Sequence, residues 1–152
     1  MQTSLPTVTI PPEILTYGFE DGLKRLSDAG RFMSAYKPNT CDVNLATNYV
    51  RAARAAFASK NYDAARRLAY GTVGTVGNCH DTDRYAVASG DGMLLFSKSE
   101  IRLGMLTAGK NDADSAAADY LGCSQTDKGY SEETQAYCQA KREEAHDIVK
   151  NG

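Results

Sequence analysis

Residues 43–77 read VNLATNYVRAARAAFASKNYDAARRLAYGTVGTVG, and the apolar spacing within them decides the fold class. Ala46, Tyr49, Val50, Ala53 and Phe57 recur at helical intervals and share one face, with Asp42 as a cap before them. After a short break at Lys60-Asn61 the pattern resumes through Tyr62, Ala65, Leu68, Ala69, Thr72, Val73 and Val76, and Gly77-Asn78 supplies a stop. A connection this short forces the two helices to lie antiparallel.

Cysteine placement extends the hairpin outward. Cys41 lies 19 residues before Lys60 and Cys79 lies 19 residues after it, so equal antiparallel arms bring the two to the same open end. A Cys41–Cys79 disulfide there would be worth about 3 to 4 kcal/mol in the chain-entropy model. The other two cysteines, Cys123 and Cys138, fall on neighbouring predicted helices and form the second pair. No Cys-x-x-Cys occurs and the intervals match no zinc spacing, so no metal site is expected. Two disulfides imply an oxidising compartment, secreted or periplasmic, for a chain whose first residues, MQTSLPTVTIPPEIL, lack the charge and apolar core of a signal peptide. Export then presumes that a signal has been removed.

The rest of the chain is helical in pattern as well. Leu15, Phe19, Leu23, Leu26 and Met33 predict a helix within 11–36, between Pro11-Pro12 and Pro38, while residues 1–10 read as a flexible N-terminal segment. From Arg84 a helix is expected with a weak point at Gly90-Asp91-Gly92, followed by a turn at Gly109-Lys110-Asn111 and a short Ala-rich helix ending near Gly122. Ser131, with Glu132 and Glu133 behind it, caps the last helix. The expected fold is therefore all-α: a single-domain antiparallel helical-hairpin bundle of five to six helices with two disulfides.

Composition excludes more than it identifies. The 152 residues carry a net charge of −2, with charged residues at 24%, so no global field attracts nucleic acid or an anionic membrane. No run reaches the roughly 18 consecutive apolar residues of a membrane span. No cofactor is implied.

Aligning ARAAFASKNYDAARRLAYGT with LGMLTAGKNDADSAAADYLGC places Ala53 over Gly104, Lys60 over Asn111, Ala65 over Ala116, Ala69 over Tyr120 and Thr72 over Cys123. Helix, Lys-Asn-Tyr-Asp turn and helix, with small residues facing each other, resemble a tetratricopeptide hairpin over about a third of the chain. The copies are 51 residues apart where that class repeats every 34, and Lys60 stands where a turn glycine is usual. The resemblance implies a helical scaffold whose concave side binds a peptide or protein.

Residues 77–85, GNCHDTDRY, hold the one local pair with a catalytic appearance, His80 with Asp81. The stretch is faintly similar to the secreted phospholipase A2 signature, in which the histidine activates water and the aspartate helps to hold calcium. Here Cys79 and His80 are adjacent, whereas the signature separates them, and no Gly-rich loop precedes them. Helix capping by Asp81 and Asp83 accounts for the same residues. His146, among Glu143, Glu144 and Asp147, reads as a solvated residue of the last helix. Arg51, Arg54, Arg66 and Arg67 lie on both arms of the first hairpin and offer a basic patch to a carboxylate-bearing partner. The expected function is thus a noncatalytic exported protein-binding module of inhibitor, immunity or adaptor type. A phospholipase-type hydrolase using His80 and Asp81 is one alternative, and a carrier holding a small apolar ligand in a helical cavity is the other.

Overall fold

The computed structural model describes residues 16, 17, 21, 25, 43–76, 82–126 and 129–152. From residue 43 onward the described residues form five helices and no strand: α1 (Val43–Ala58), α2 (Tyr62–Val76), α3 (Thr82–Arg102), α4 (Leu106–Ser124) and α5 (Glu132–Asn151). Each helix packs against the next, and α1 also packs against α3. The expected helix within 11–36 and the Cys41–Cys79 pair lie outside the described residues.

Side-chain pairs fix the directions. Between α2 and α3, Tyr62 meets Arg102, Arg66 and Tyr70 meet Phe96, and Thr72 faces Gly92, a descending register that makes the two helices antiparallel. Between α3 and α4, Ser89 bonds Asp119 and Ser97 bonds the Gly109 carbonyl, again antiparallel. Asp91 with Tyr137 and Lys98 with Glu144 instead ascend together, so α3 and α5 are parallel. Helices α1, α3 and α5 therefore run in one direction, with α2 and α4 returning between them.

The core has two halves that share α3. Tyr49, Val50, Ala53, Leu68, Ala69 and Leu95 join α1, α2 and α3, while Leu94 packs with Ala116, Ala117, Tyr120, Cys123, Cys138 and Ala145 of α4 and α5. Alanine is common at these contacts, which lets the helices approach closely. Cys123 and Cys138 form a disulfide with Cα atoms 5.8 Å apart, tying α4 to α5.

The first hairpin turn closes as the sequence requires. Lys60 takes φ 63°, its N–H donates to Phe57 O, and the Asn61 N–H donates to Ala56 O, a Schellman ending. Asn61 then caps α2 through its Oδ1, which accepts from Ala64 N.

The second turn lies elsewhere than expected. Residues 109–111 are inside α4, and the reversal occurs at Leu103–Met105, where Gly104 at φ 83° repeats the same hydrogen bonds to Ile101 O and Glu100 O. Gly109 serves a different need. A Cβ there would lie 2.5 Å from Ile101 Cγ1, so the glycine permits α4 to press on α3. The two equivalent turn residues, Lys60 and Gly104, are accordingly 44 positions apart, and the 51-residue alignment sets a turn against a helix interior. Helix α4 also continues past Gly122 to Ser124. Ser131 caps α5 as expected, its Oγ accepting from Thr134 N at 3.1 Å.

Candidate binding cleft

Gly90-Asp91-Gly92 does not interrupt α3, which is continuous through it. The two glycines clear space on either side of the aspartate. A Cβ at Gly90 would come within 2.7 Å of the Tyr120 ring, and one at Gly92 within 2.8 Å of Thr72 Cβ. Neighbouring helices close in at both positions and leave Asp91 only 9% exposed.

Burying that carboxylate requires partners, and three side chains supply them. The Tyr120 hydroxyl donates to Asp91 Oδ1 at 2.5 Å and the Tyr137 hydroxyl donates to the same oxygen at 2.8 Å. Arg54 Nη2 lies 3.4 Å from Oδ2 and also donates to the Tyr137 oxygen at 3.2 Å. The network joins α1, α3, α4 and α5 at one point. Burial, then the charge of Asp91, pushes the Tyr120 hydroxyl far above its ordinary value. Burial and the hydrogen bond to Asp91 push Tyr137 up to about 12. Both hydroxyls therefore remain donors, holding their protons where they are. Their rings meet edge to face with centroids 6.5 Å apart.

Beside this network lies a cleft of about 190 Å³. Leu94 and Leu95 of α3 line it with Phe57 of α1, and three cations from three helices border it: Arg54, Lys98 and Lys141. Lys98 Nζ lies 5.6 Å from the Phe57 ring centroid, and Lys141 Nζ 5.7 Å from that of Tyr137. Glu144 serves both ammonium groups, each at 3.6 Å. That is longer than a direct charge-assisted hydrogen bond.

No family model, curated protein or solved structure matches this chain.

Of the arginines expected to form a basic patch, Arg54 alone borders the cleft. Arg51 is exposed on α1, the Arg66 guanidinium lies 5.2 Å over Phe96, and Arg67 pairs with Asp63 one turn earlier in α2. His80, Asp81, Cys41 and Cys79 lie outside the described residues. His146 is exposed on α5. Among the described residues no group of three or more His, Cys, Asp or Glu side chains is disposed to hold a metal ion, and no helix is long and apolar enough to cross a membrane. Sequence reasoning missed Asp91, Tyr120, Tyr137, Lys98 and Lys141. The available signal was an acid bracketed by two glycines inside a helical apolar pattern.

A second buried acid lies further along α3. Glu100 is 2% exposed, and its carboxyl is pushed up to about 8 by burial and by a hydrogen bond and like charge from Asp112 of α4, against the pull of Arg66 of α2. One proton is thereby held at the junction of three helices.

Proposed function

We propose that the protein is a noncatalytic, exported binding module of inhibitor, immunity or adaptor type, and that the face formed by α1, α3 and α5 receives a segment of a protein partner. The observation that carries this reading is the convergence of Arg54, Lys98 and Lys141 around an apolar floor, on a framework already held by the Asp91 network. A site preformed in this way loses little conformational freedom on binding. Leu103, Met105 and Leu106, all exposed at the α3–α4 turn, add a further apolar surface of the kind found at protein contacts.

The tetratricopeptide-like reading is supported by the order of packing and by three parallel first helices on one side. The spacing of 44 between turns departs from that class. Export is supported by the Cys123–Cys138 disulfide. A cleft of 190 Å³ with a charged rim suits one side chain of a partner better than a free apolar ligand, for which pockets run from about 300 Å³ upward.

The test is site-specific photo-crosslinking in the native host, with the reactive group at Phe57 in the cleft or at Asp63 on α2. The expected result is a protein adduct of discrete mass from position 57, absent from position 63 and lost on Lys98→Glu. Equal adducts from both faces, or none from position 57, would overturn the proposal.

A further inference from the structure

We infer that the segment received by the cleft is acidic: an apolar side chain seats over Leu94 and Leu95, and a flanking carboxylate pairs with Lys98 and Lys141. This rests on the binding-module reading above and names the chemistry of its partner.

Local charge is the first argument. The whole chain is net negative at −2, yet three cations from three different helices meet around one small cleft. Among the described residues two carboxylates pair with them, Asp91 and Glu144, and both are already committed. Asp91 accepts from two tyrosine hydroxyls and pairs with Arg54, so its charge is largely answered from within. Glu144 is divided between Lys98 and Lys141 at 3.6 Å from each, and an ammonium group has three donors. A further carboxylate entering between the lysines gains two charge-assisted partners without displacing any bond of the Asp91 network.

Exposure makes those cations accessible. The Arg54, Lys98 and Lys141 side chains are 51%, 37% and 30% exposed, while Leu94 and Leu95 at the floor are buried. Such a layout, an apolar seat within a charged rim, is that of a peptide anchor site. Nucleic acid also carries anions that lysine and arginine pair with, but it requires a run of cations along a backbone. Here the cations surround a cavity that holds a single side chain.

The experiment is an amide NMR titration of the full chain with three probes: a peptide of glutamates around one phenylalanine, its lysine counterpart, and a single-stranded oligonucleotide. The expected result is a set of shifts confined to residues around Arg54, Phe57, Lys98 and Lys141 with the acidic peptide, weakening as salt is raised. Lys98→Gln combined with Lys141→Gln should reduce that affinity by about tenfold, with unchanged circular dichroism. Replacing the peptide's phenylalanine by serine should reduce it as well. Cleft shifts with the lysine peptide, or tighter binding of the oligonucleotide, overturn the inference. So does a photo-adduct from position 57 onto residues 11–36 of the same chain, which would make the chain its own occupant. An intermolecular protein adduct at position 57 with no response to the acidic peptide would overturn the acidic class alone and leave the binding module standing.

Discussion

Asp91 illustrates why helix propensity alone misreads a residue. Each flanking glycine costs about 1 kcal/mol relative to alanine in a helix interior, so Gly90-Asp91-Gly92 reads as a weak point when only the chain's local preference is considered. The packed structure reverses the sign, because the Tyr120 ring occupies the space that a Cβ at residue 90 would need. Gly90→Ala should therefore destabilise the protein by about 1 to 3 kcal/mol through overpacking, against the gain expected from propensity. Urea denaturation decides between them, since an increase in stability would show that the ring can move aside. Asp91→Ala leaves the buried Tyr120 hydroxyl and the half-buried Tyr137 hydroxyl without their acceptor and should cost about 3 kcal/mol by the same measurement. None of these partners was legible in the sequence, since Tyr120 and Tyr137 are 29 and 46 positions away and only the fold brings them to α3.

Turns and buried charge belong to the scale of elements. The first hairpin was legible because its apolar faces, its break and its cap fall in one uninterrupted stretch, and Lys60-Asn61 marks the reversal. The second was misplaced by five residues or more because Gly104 and Gly109 look alike in sequence, although one supplies a left-handed turn and the other a close contact. The two turns share their hydrogen bonds but differ in the residue at the left-handed position. Lys60→Gly should raise stability by about 1 kcal/mol, because glycine adopts φ 63° without the cost borne by a residue with a Cβ. Thermal unfolding of that variant checks the assignment, and a lowered melting temperature would contradict it. The three-helix junction at Glu100 makes a separate demand on pH. Its carboxyl releases its proton near 4.5 in the unfolded chain and near 8 in the folded one, so between those values the folded state binds more protons. Stability from this group is complete below about pH 4.5, falls as pH rises through the window to about 8, and is level beyond it. The slope within the window is at most about 1.4 kcal/mol per pH unit. Glu100→Gln removes the proton exchange, so its advantage over the parent should grow from pH 5 to pH 8. A difference that stays constant across chemical denaturations at those pH values would sink this account of the junction.

At the scale of the whole molecule, the all-α class follows from periodicity, but the placement of a cleft between α1, α3 and α5 depends on contacts across long stretches of chain. The directions of those helices are set by alternate packing, and their last member is secured by a covalent bond. Cys123 and Cys138 are both fully buried and 15 positions apart. The sequence supported that pairing because both cysteines fall on adjacent helices joined by a short connection. Closing a loop of that length contributes about 3 kcal/mol in the chain-entropy model. The double replacement Cys123→Ala with Cys138→Ala should therefore lower unfolding stability by about that amount or more, since two buried sulfurs are lost with the bond. The loss bears on function through α5, which carries Tyr137, Lys141 and Glu144 to the cleft. With α5 less firmly held, amide exchange should quicken first in α5 and the adjoining end of α4, while α1 and α2 retain their protection. Uniform acceleration throughout the chain would mean that the bundle opens as one unit, with the disulfide acting on the whole fold and not on the wall of the cleft.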